Sequence, residues 1–596
     1  DTFCVVRSAP IRLSLSIRRT SRMLAAQSLR RTLHRCTLRA ASRASSSSYG
    51  SASGTFKVPE VHNEPFLHYP PGSSERAALR DAMNRLKAEC PDIPCVVGGK
   101  EIRTGDIGRQ TMPTNHQHVL CTYHNATPEV IQSAIAVALE AKKEWERYPS
   151  EHRIAIFLKA ADLLSTKYRA ELCAAVMLGQ GKNVWQAEID AAVETIDFWR
   201  FLGKFAQQLY AQQPSENSFG VWNRQEYRPL EGFVAAITPF NFIAIAANLH
   251  SAPAVMGNVS LWKPSDSSIL GCWIILKILK EAGLPDGIVN FLPCNGPVFG
   301  NCVFKSPELG GVHFTGSTDT FAVIWREVAT NLRPYKSYPR VVGETGGKNF
   351  HFVHESADPE HVVHNTIRAA FEYQGQKCSA ASRLYVPSTL WPKIKAGLVD
   401  NIRKIKVGPV EDFDSFMCAV IDKNSFDQIA SFIDYAKAHP KTYEIIAGGE
   451  YDCQTGWYIQ PTVIVTTAAD SKLMEEEIFG PVLTVYVYDP SKYIETLEMC
   501  DKTSKYALTG AIFAQDRKAV IKASEMLKYS AGNFYINDKS TGSIVGQQPF
   551  GGGRASGTND KSGSIINLLR WTSIRTVKEN FLPLTDFTYP HMSSKD

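Results

Sequence analysis

The sequence predicts an α/β fold with two domains, each built around a parallel, doubly wound sheet. Short apolar segments alternate with helical patterns in a first series that starts at Gly232, and the alternation resumes in a second series after Cys378. Strands that alternate with helices are typical of parallel sheets. A chain of 596 residues is long enough for two or three domains with large cores.

The first series opens with the most apolar segment of the chain, residues 232–262, which contains no Asp, Glu, Lys or Arg. A membrane span has to be considered, since about 20 apolar residues are enough for one. Pro, Asn and His residues interrupt the run, and strands buried on both faces read as continuous apolar runs. We therefore interpret the segment as a strand (232–238), a turn, a helix and a second strand (259–262).

The other elements of this series follow the same rhythm. Residues 96–102 read as a hairpin with a glycine turn, and Thr127-Pro128 begins a long helix. The later elements are a helix at 267–282 that stops at Gly283, a strand at 288–292, a short helix near Pro297, a strand at 311–314 and a helix from Thr318.

The second series follows Cys378 in the chain. A helical pattern at 358–373 precedes the cysteine. Near the C-terminus, residues 571–577 read as one more strand, which we expect to pair with a polar, aromatic strand pair at 218–228 in a projecting flap. The elements of the series are strands at 383–386, 482–488, 510–514 and 532–536 and helices at 425–438, 491–502 and 517–529.

Composition excludes several classes of protein. The thirteen cysteines are scattered, with no CxxC pair and no HExxH motif, so we expect no metal site, no disulfide framework and a reducing compartment. The net charge of +6 comes from residues 1–56, which hold ten Arg, no Lys and one acid. The remainder is therefore acidic overall, and no nucleic-acid surface follows from the charge.

The N-terminal segment, residues 1–56, reads as a targeting sequence and is excluded from the fold. From Met23 onward it alternates Leu and Ala with Arg and is rich in Ser, a composition typical of a mitochondrial transit peptide. Residues 1–22 are either the same kind of sequence or translated leader ahead of a start at Met23. A disordered basic tail is the alternative. The prediction is a protein of the mitochondrial matrix.

One cysteine stands in a segment that suits chemistry, Gln374-Gly-Gln-Lys-Cys378-Ser. Its neighbours are small and polar, whereas a core cysteine usually has apolar neighbours. Lys377 lies beside it, and a nearby cation favours the thiolate, which is the nucleophilic form. Taken alone, the segment leaves a free loop cysteine without a role as the alternative.

A nucleotide site is indicated at Phe314-Thr-Gly-Ser317-Thr-Asp, which follows a strand and opens a helix. A helix N-terminus offers free N–H groups and a positive dipole end to phosphate, although the match to GxGxxG is poor. Lys263 ends a neighbouring strand, where ligands of open α/β sheets collect. A carboxylate at Asp266 suits ribose hydroxyls and repels a 2′-phosphate, which favours NAD over NADP. A solvated strand end is the alternative.

Two further side chains stand at strand ends. Glu344 precedes a glycine pair, and a glycine turn needs no acid, so this carboxylate is a candidate base; a surface turn is the alternative. Asn241 lies in an apolar turn, where burying its amide unpaired costs roughly 1–3 kcal/mol. It either caps the following helix or donates to an oxyanion of a substrate.

Together these motifs resemble the aldehyde dehydrogenase superfamily. They occur in the family's order over about residues 60–590, and six motifs in register are far more specific than any one of them. The motifs are Pro-Phe-Asn at 239–241, Trp-Lys-Pro-Ser at 262–265, Phe-Thr-Gly-Ser at 314–317, Glu-Thr-Gly-Gly-Lys at 344–348, Gln-Gly-Gln-Lys-Cys-Ser at 374–379 and Glu-Ile-Phe-Gly-Pro at 477–481.

The resemblance implies an aldehyde dehydrogenase-like fold with a Rossmann-type NAD-binding domain, an α/β catalytic domain and a small β-flap for oligomerisation. The implied bounds are 57–217 with 231–342 for NAD binding, 343–565 for catalysis, and 218–230 with 566–590 for the flap. A homodimer or a larger homo-oligomer follows from the flap.

The resemblance also implies a mechanism. Cys378 attacks the aldehyde, the Asn241 amide and the Cys378 N–H hold the oxyanion, and Glu344 activates water against the resulting thioester. NAD is the implied cofactor. The residues expected to contact it are Thr238, Lys263, Asp266, Gly316, Ser317, Thr318, Glu477 and Phe479.

The segments His62-Asn-Glu-Pro-Phe and Asn537 to Asp560 further resemble the family members that oxidise L-glutamate γ-semialdehyde to L-glutamate in proline breakdown. The alternatives are another acidic semialdehyde such as succinate semialdehyde, a non-catalytic relative, or a membrane-anchored form. The residues expected to contact substrate are Phe242, Ser379, Gly542, Ser543 and Phe550.

Overall fold

The computed structural model describes Gly54 and residues 56–592. Almost all of the predicted transit peptide, residues 1–56, therefore lies outside the described residues. The predicted α/β class is confirmed, because two seven-stranded sheets dominate the rest of the chain.

The first sheet has the strand order β11-β10-β7-β8-β9-β2-β3. Its five strands from β11 to β9 are parallel, and the hairpin predicted at 96–102 adds β2 and β3 antiparallel at one edge. Its strands are β2 Cys95–Val97, β3 Lys100–Ile102, β7 Phe233–Ile237, β8 Ser260–Lys263, β9 Val289–Phe291, β10 Leu309–Thr315 and β11 Arg340–Glu344.

The second sheet has the order β14-β17-β18-β13-β12-β20-β21 and is parallel except between β14 and β17. The chain crosses from the first sheet to the second between Glu344 and Asn349. The strands are β12 Asn349–Val353, β13 Ala381–Pro387, β14 Tyr443–Ala447, β17 Thr462–Thr466, β18 Val482–Tyr488, β20 Thr509–Phe513 and β21 Asn533–Ile536.

The flap pairs β6 (Val221–Pro229) antiparallel with β23 (Thr572–Asn580) over nine residues each, as predicted for the C-terminal strand. The prediction of a strand pair within 218–228 is wrong. A turn at Ser218 to Gly220 precedes the strand, with Gly220 at a φ of 71°, so that only one strand fits in this segment.

Three smaller sheets complete the described strands. They are β1 Asp92–Ile93, β4 Ile107–Met112 and β5 Asn115–His124 in one sheet, β15 Tyr451–Asp452 with β16 Tyr458–Ile459, and β19 Tyr506–Ala507 with β22 Gly553–Arg554.

The charge-free segment folds as interpreted, with strand β7, the helix Ile243–Val255 and strand β8. Within the part of the chain that the structure describes, no helix is long and apolar enough to cross a bilayer. The principal helices are Ser74–Glu89, Pro128–Trp145, Ser150–Leu163, Arg169–Gln180, Thr195–Tyr210, Ile243–Val255, Ile269–Ala282, Gly296–Val303, Thr318–Thr330, Pro359–Phe371, Trp391–Ile402, Lys423–Ala438, Tyr493–Lys502, Arg517–Met526 and Ile565–Arg570, with short turns at Val184–Ala187 and Lys472–Glu475 and π-helical turns at Leu164–Tyr168 and Glu188–Glu194.

Helix ends follow the local chemistry that the sequence indicated. The Thr127 hydroxyl caps the helix that has Pro128 at its first turn. The helix Ile269–Ala282 ends at Gly283, whose φ of 102° few other residues adopt. Its start lies two residues after the predicted one, because Asp266–Ser268 form a 3₁₀ turn first.

Candidate active site

The loop that carries Cys378 is held in a conformation that its sequence alone would not adopt. Tyr373, Gln374 and Gly375 have φ values of 53°, 56° and 68°, in the left-handed region. The Gln374 amide nitrogen donates to the carbonyl oxygens of Gly181 (2.9 Å) and Ala419 (2.8 Å). These contacts offset the strain, which costs of order 1–3 kcal/mol for each non-glycine residue.

Asn241 reaches this loop from the first sheet. Its Nδ2 donates to the carbonyl oxygen of Gln376 at 3.1 Å, two residues before Cys378. An amide nitrogen has two hydrogens, so one remains for a ligand. The alternative that Asn241 caps the following helix is wrong, because the Asp190 carboxylate accepts from the first N–H groups of that helix, those of Ile243 and Ala244, both at 2.9 Å.

The surroundings of the partly exposed Cys378 thiol favour its protonated form. Burial raises the pKa of Cys378, and the negative charges of Glu344, Glu477 and Glu194 raise it further. The prediction that Lys377 favours the thiolate is wrong.

Lys377 fails in that role because another acid holds it. Its Nζ lies 2.9 Å from Glu372 Oε2, and both side chains are buried. A paired cation leaves little net charge to favour the neighbouring thiolate.

Glu344 ends strand β11, where its side chain is half-buried. Burial raises the pKa of Glu344 well above its ordinary value; the Lys561 ammonium acts in the opposite direction and Asp560 in the same one. Its Oε2 is buried with no hydrogen-bond partner among the described residues. A carboxyl group with a raised pKa and a free oxygen is suited to take a proton from a water molecule or another ligand.

A short turn joins the acid to the nucleophile. Asn349 Nδ2 donates to the carbonyl oxygen of Cys378 at 2.7 Å. A Cβ at Gly347 would lie 2.4 Å from the same oxygen, so any other side chain there would displace the cysteine loop. The crossing between the sheets thus fixes Glu344 and Cys378 in one unit.

A cleft of about 580 Å³ lies beside this unit. Its lining combines the N-terminus of the helix that begins at Thr318 with acids and one cation. Lining residues are Ser317, Thr318, Asp319, Gln428, Glu475, Glu476, Glu477, Thr503, Lys505 and Tyr506. The predicted cofactor residues Ser317, Thr318 and Glu477 are thereby brought together.

Glu477 lines the cleft, and Phe479 follows it two residues later in the chain. Glu477 Oε1 accepts from the Gly347 N–H at 2.7 Å, and burial raises the pKa of Glu477 to about 7. A Cβ at Gly346 would lie 2.2 Å from Glu477 Oε2, which explains the glycine there. Phe479, at a φ of 55°, meets the ring of Phe240 edge-on at 5.9 Å.

The other cofactor candidates lie at neighbouring strand ends. Lys263 ends β8, with Nζ 3.9 Å from Asp266 Oδ1. Thr238 follows β7, and its hydroxyl accepts from Trp262 Nε1 at 3.0 Å. Gly316 follows β10, and its N–H donates to the Glu344 carbonyl oxygen at 3.2 Å. All three positions stand at the carboxyl edge of one sheet, where ligands of such sheets bind.

The predicted substrate loop lies against the cysteine loop. The Ser540 hydroxyl donates to the Ser379 carbonyl oxygen at 3.2 Å, and the Ser540 N–H donates to His351 Nε2 at 3.2 Å. Gly542 follows at a φ of 85°, a conformation that favours glycine. Ser543 is the next residue and is partly exposed.

The two predicted aromatic walls are fixed in different ways. Lys182 Nζ lies 4.1 Å from the Phe242 ring centre and 2.7 Å from Asp190 Oδ2. Phe550 exchanges two backbone hydrogen bonds with Ser562, at 3.0 and 2.7 Å.

Sequence reasoning missed several groups around the nucleophile. Lys182, Asp190 and Glu194 lie outside every motif named above. Burial raises the pKa of Glu194 to about 8, and its charge acts on the Cys378 thiol. The structure gives the signal that the sequence lacked: Glu188–Glu194 form a π-helical turn, and such turns are frequent at functional sites.

Comparison with known proteins agrees with this geometry. A profile of the aldehyde dehydrogenase family matches residues 105–577. The mitochondrial delta-1-pyrroline-5-carboxylate dehydrogenase of Dictyostelium discoideum is 57% identical over 90% of this chain and 96% of its own. The corresponding protein of Danio rerio is 53% identical over 93% of this chain and 100% of its own.

A solved structure is also similar. The delta-pyrroline-5-carboxylate dehydrogenase of Mycobacterium tuberculosis bound with NAD superposes with a TM-score of 0.88 at 45% identity, covering 91% of this chain and 100% of that one.

Proposed function

The chain belongs to the aldehyde dehydrogenase family, and we propose that Cys378, Asn241 and Glu344 are the groups with which it oxidises L-glutamate γ-semialdehyde to L-glutamate. The observation that carries the assignment of residues is their convergence: the Asn241 amide is hydrogen-bonded to the Cys378 loop, and the Glu344 charge acts on the Cys378 thiol. The semialdehyde forms when water opens the ring of Δ1-pyrroline-5-carboxylate.

Cys378 forms the covalent bond. Its sulfur attacks the aldehyde carbon, the thiol proton leaves, and the carbonyl oxygen becomes the oxyanion of a thiohemiacetal. Burial raises the pKa of the Cys378 thiol, so its proton leaves as the sulfur attacks and passes to water.

Asn241 stabilises the oxyanion. One hydrogen of Nδ2 is bound to Gln376, which fixes the direction of the other. Together with the Cys378 N–H, it provides two donors for the negative charge. A single donor of this kind is typically worth ~3–4 kcal/mol of transition-state stabilisation.

NAD is the cofactor, and when bound it accepts the hydride that leaves the former aldehyde carbon. The cleft beside Cys378 fits such a group. The helix N-terminus at Ser317 and Thr318 and the Lys505 ammonium suit a pyrophosphate. The carboxylates of Glu477 and Asp266 suit ribose hydroxyls. Lys263 ends β8, the strand that lies between β7 and β9.

Glu344 acts after the thioester has formed. As a carboxylate, it takes a proton from water while the water oxygen attacks the thioester carbon. The carbon–sulfur bond then breaks, the cysteine sulfur recovers a proton, and the acid is released. The net change is aldehyde, NAD⁺ and water to acid, NADH and a proton.

Substrate choice resides in the loop after Ser540. The semialdehyde carries a carboxylate several bonds from its aldehyde, so its anchor has to stand at a distance from Cys378. Gly542 and Ser543 offer N–H and O–H donors there, and Ser379 offers another beside the nucleophile. Phe242 and Phe550 would enclose the aliphatic carbons between the two ends.

A substrate panel tests the function. Purified enzyme should reduce NAD with glutamate semialdehyde at a kcat/KM well above that for succinate semialdehyde or propanal. Cys378→Ala should form no NADH and still bind NAD, whereas exposed Cys90→Ala should behave as wild type. Faster turnover of succinate semialdehyde would overturn the substrate, and turnover by Cys378→Ala would overturn the nucleophile.

The flap supports assembly of two or more copies. An isolated two-stranded sheet is only marginally stable, and the segments that precede and follow this one expose large apolar side chains, including Phe219 (93% exposed), Leu584 (85%) and Phe587 (86%). Such patches mark interaction sites. We propose a homodimer or a larger homo-oligomer, which light scattering after gel filtration would test.

Domain roles and location complete the proposal. Residues 57–217 with 231–342 would bind NAD, 343–565 would carry catalysis, and 218–230 with 566–590 would join the copies. The Arg-rich N-terminal segment and the mitochondrial relatives in Dictyostelium and Danio support a mitochondrial location, with the matrix as the compartment. A fluorescent fusion that stays cytosolic would contradict this location.

A further inference from the structure

A half-buried lysine that the mechanism does not use stands beside the general base. Lys561 Nζ donates to the carbonyl oxygens of Gly532 (2.8 Å) and Gly551 (3.2 Å). It lies 3.4 Å from Asn533 Oδ1 as well. No carboxylate pairs with this ammonium among the described residues, so its charge is not cancelled by a direct partner.

The same segment forms the wall against the Glu344 carboxyl group. A Cβ at Gly551 would lie 3.0 Å from Glu344 Oε1 and 3.3 Å from the Lys561 backbone nitrogen. Glycine at 551 therefore lets the carboxyl group approach the junction of Gly551 and Lys561. Glu344 itself forms a backbone bridge with Gly557 in the same segment.

Hydrogen bonds between its two ends close the segment into a loop. Phe550 and Ser562 exchange backbone hydrogen bonds at its two ends, and the Lys561 side chain returns across it to Gly551. Lys561 adopts a φ of 51°, in the left-handed region, so its backbone is held in an unfavourable conformation. The side-chain contacts of Lys561 help to keep it there.

We propose that Lys561 is a positioning residue for Glu344: it clamps the 550–562 segment against the carboxyl group and supplies the positive charge that favours its carboxylate form. This inference rests on the proposed role of Glu344 as the base. It adds a residue whose effect is on the base rather than on the nucleophile or the substrate.

The charges around Glu344 agree with this role. Burial and the Asp560 charge raise the pKa of Glu344, and the Lys561 ammonium lowers it. Asp560 is itself paired with Arg570 at 3.2 Å. The Cys378 thiol also faces Glu344, and the Lys561 ammonium opposes the effect of burial on the pKa of the Glu344 carboxyl group.

The time course of NADH formation separates two steps of the reaction, the burst and the steady rate, and the test measures both. The first turnover gives a burst that needs the nucleophile, and the steady rate needs Glu344 to hydrolyse the thioester. Lys561→Gln keeps hydrogen-bond donors for the carbonyl oxygens and removes the charge, and Lys561→Arg keeps the charge. The exposed Lys522→Gln is the control.

The expected result is a shift of the acidic limb in the pH profile of the steady rate. Lys561→Gln should keep its burst, while the acidic limb of its steady rate moves to higher pH by roughly one unit, as for loss of an opposite charge nearby. Lys561→Arg and Lys522→Gln should follow the wild-type limb. The direction follows from the base being the carboxylate, which exists above the pKa that the lysine lowers.

The outcomes separate this proposal from the function itself. The role of Lys561 would be overturned if the acidic limb of Lys561→Gln superimposed on that of wild type. It would also be overturned if Lys561→Arg shifted that limb as much as Lys561→Gln does. A shift seen with propanal, without any turnover of glutamate semialdehyde by wild type, would support Lys561 and overturn the proposed substrate. Circular dichroism confirms that each variant is folded before it is compared.

Discussion

Asn241 Nδ2 and the carbonyl oxygen of Gln376 form a hydrogen bond of 3.1 Å across 135 residues of sequence. The bond ties the end of a strand in the first sheet to the loop of the nucleophile in the second. It also uses one of the two amide hydrogens and so directs the other. The geometry of the oxyanion site therefore depends on both sheets.

The first prediction concerns that amide. Asn241→Ala should lower kcat by about 10²–10³-fold, the usual effect of removing one oxyanion donor. Stopped-flow NADH traces should show the loss in the burst phase, because the donor acts before the thioester forms. As a control, Asn365→Ala removes an exposed amide distant from this loop. A normal burst in Asn241→Ala would exclude the amide from the oxyanion site.

The second prediction concerns the base. Glu344→Gln keeps the shape of the side chain but cannot accept a proton, so hydrolysis of the thioester should fall by roughly 10²–10⁴-fold. The enzyme should release about one NADH per active site and then stall. Mass spectrometry should find the acyl group on Cys378. An unchanged steady rate would assign the base elsewhere.

The third prediction concerns the carboxylate anchor. Ser543→Ala removes a hydrogen bond to a charged group, worth about 1.5–3 kcal/mol. KM for glutamate semialdehyde should rise roughly 10–100-fold, while KM for propanal, which has no carboxylate, stays unchanged. Equal effects on the two substrates would remove Ser543 from this role.

The fourth prediction concerns the pH at which the nucleophile reacts. A thiol alkylates as its thiolate, which forms above its pKa, and burial raises the pKa of Cys378. Inactivation of the free enzyme by iodoacetamide should therefore quicken about tenfold per pH unit from pH 7 to 9, without a plateau. A plateau near pH 7 would mean that a cation stabilises the thiolate after all.

Sequence reasoning found the reactive side chains because each interrupts a local pattern. Cys378 has small polar neighbours, Glu344 stands before two glycines, and Asn241 lies in an apolar turn. Their supports follow no local pattern. Gln374 is anchored 193 residues away at Gly181, and no periodicity carries such a pairing.

Charge was the weakest part of the sequence interpretation. Lys377 stands next to Cys378 in the chain, yet its ammonium is bound to Glu372. Lys561 is 183 positions from Cys378 and 217 from Glu344, and only folding brings it to the base. Adjacency in sequence does not predict which charges act on a buried group.

The fold was predicted where strands are apolar and missed where they are polar. Strand β5, Asn115–His124, begins with Asn-His-Gln-His and shows no alternation that would mark a strand. The helix Trp391–Ile402 was also missed, although its buried residues Ile394, Leu398 and Ile402 repeat at the helical spacing of four. In contrast, the buried strands β7, β8 and β18 are runs of apolar residues and were found.

The connector of residues 345–348 lies between the acid that ends one sheet and the asparagine that begins the next. If the two halves of the protein swing apart to exchange the dinucleotide, points on the axis of rotation travel least. If the axis of rotation passed through this connector, the outer cleft would open while the Cys378 sulfur, the Asn241 amide and the Glu344 carboxyl group stayed close to one another. Fast deuterium uptake at 317–319 with slow uptake at 345–349 would reveal such a swing, and equal uptake would argue against it.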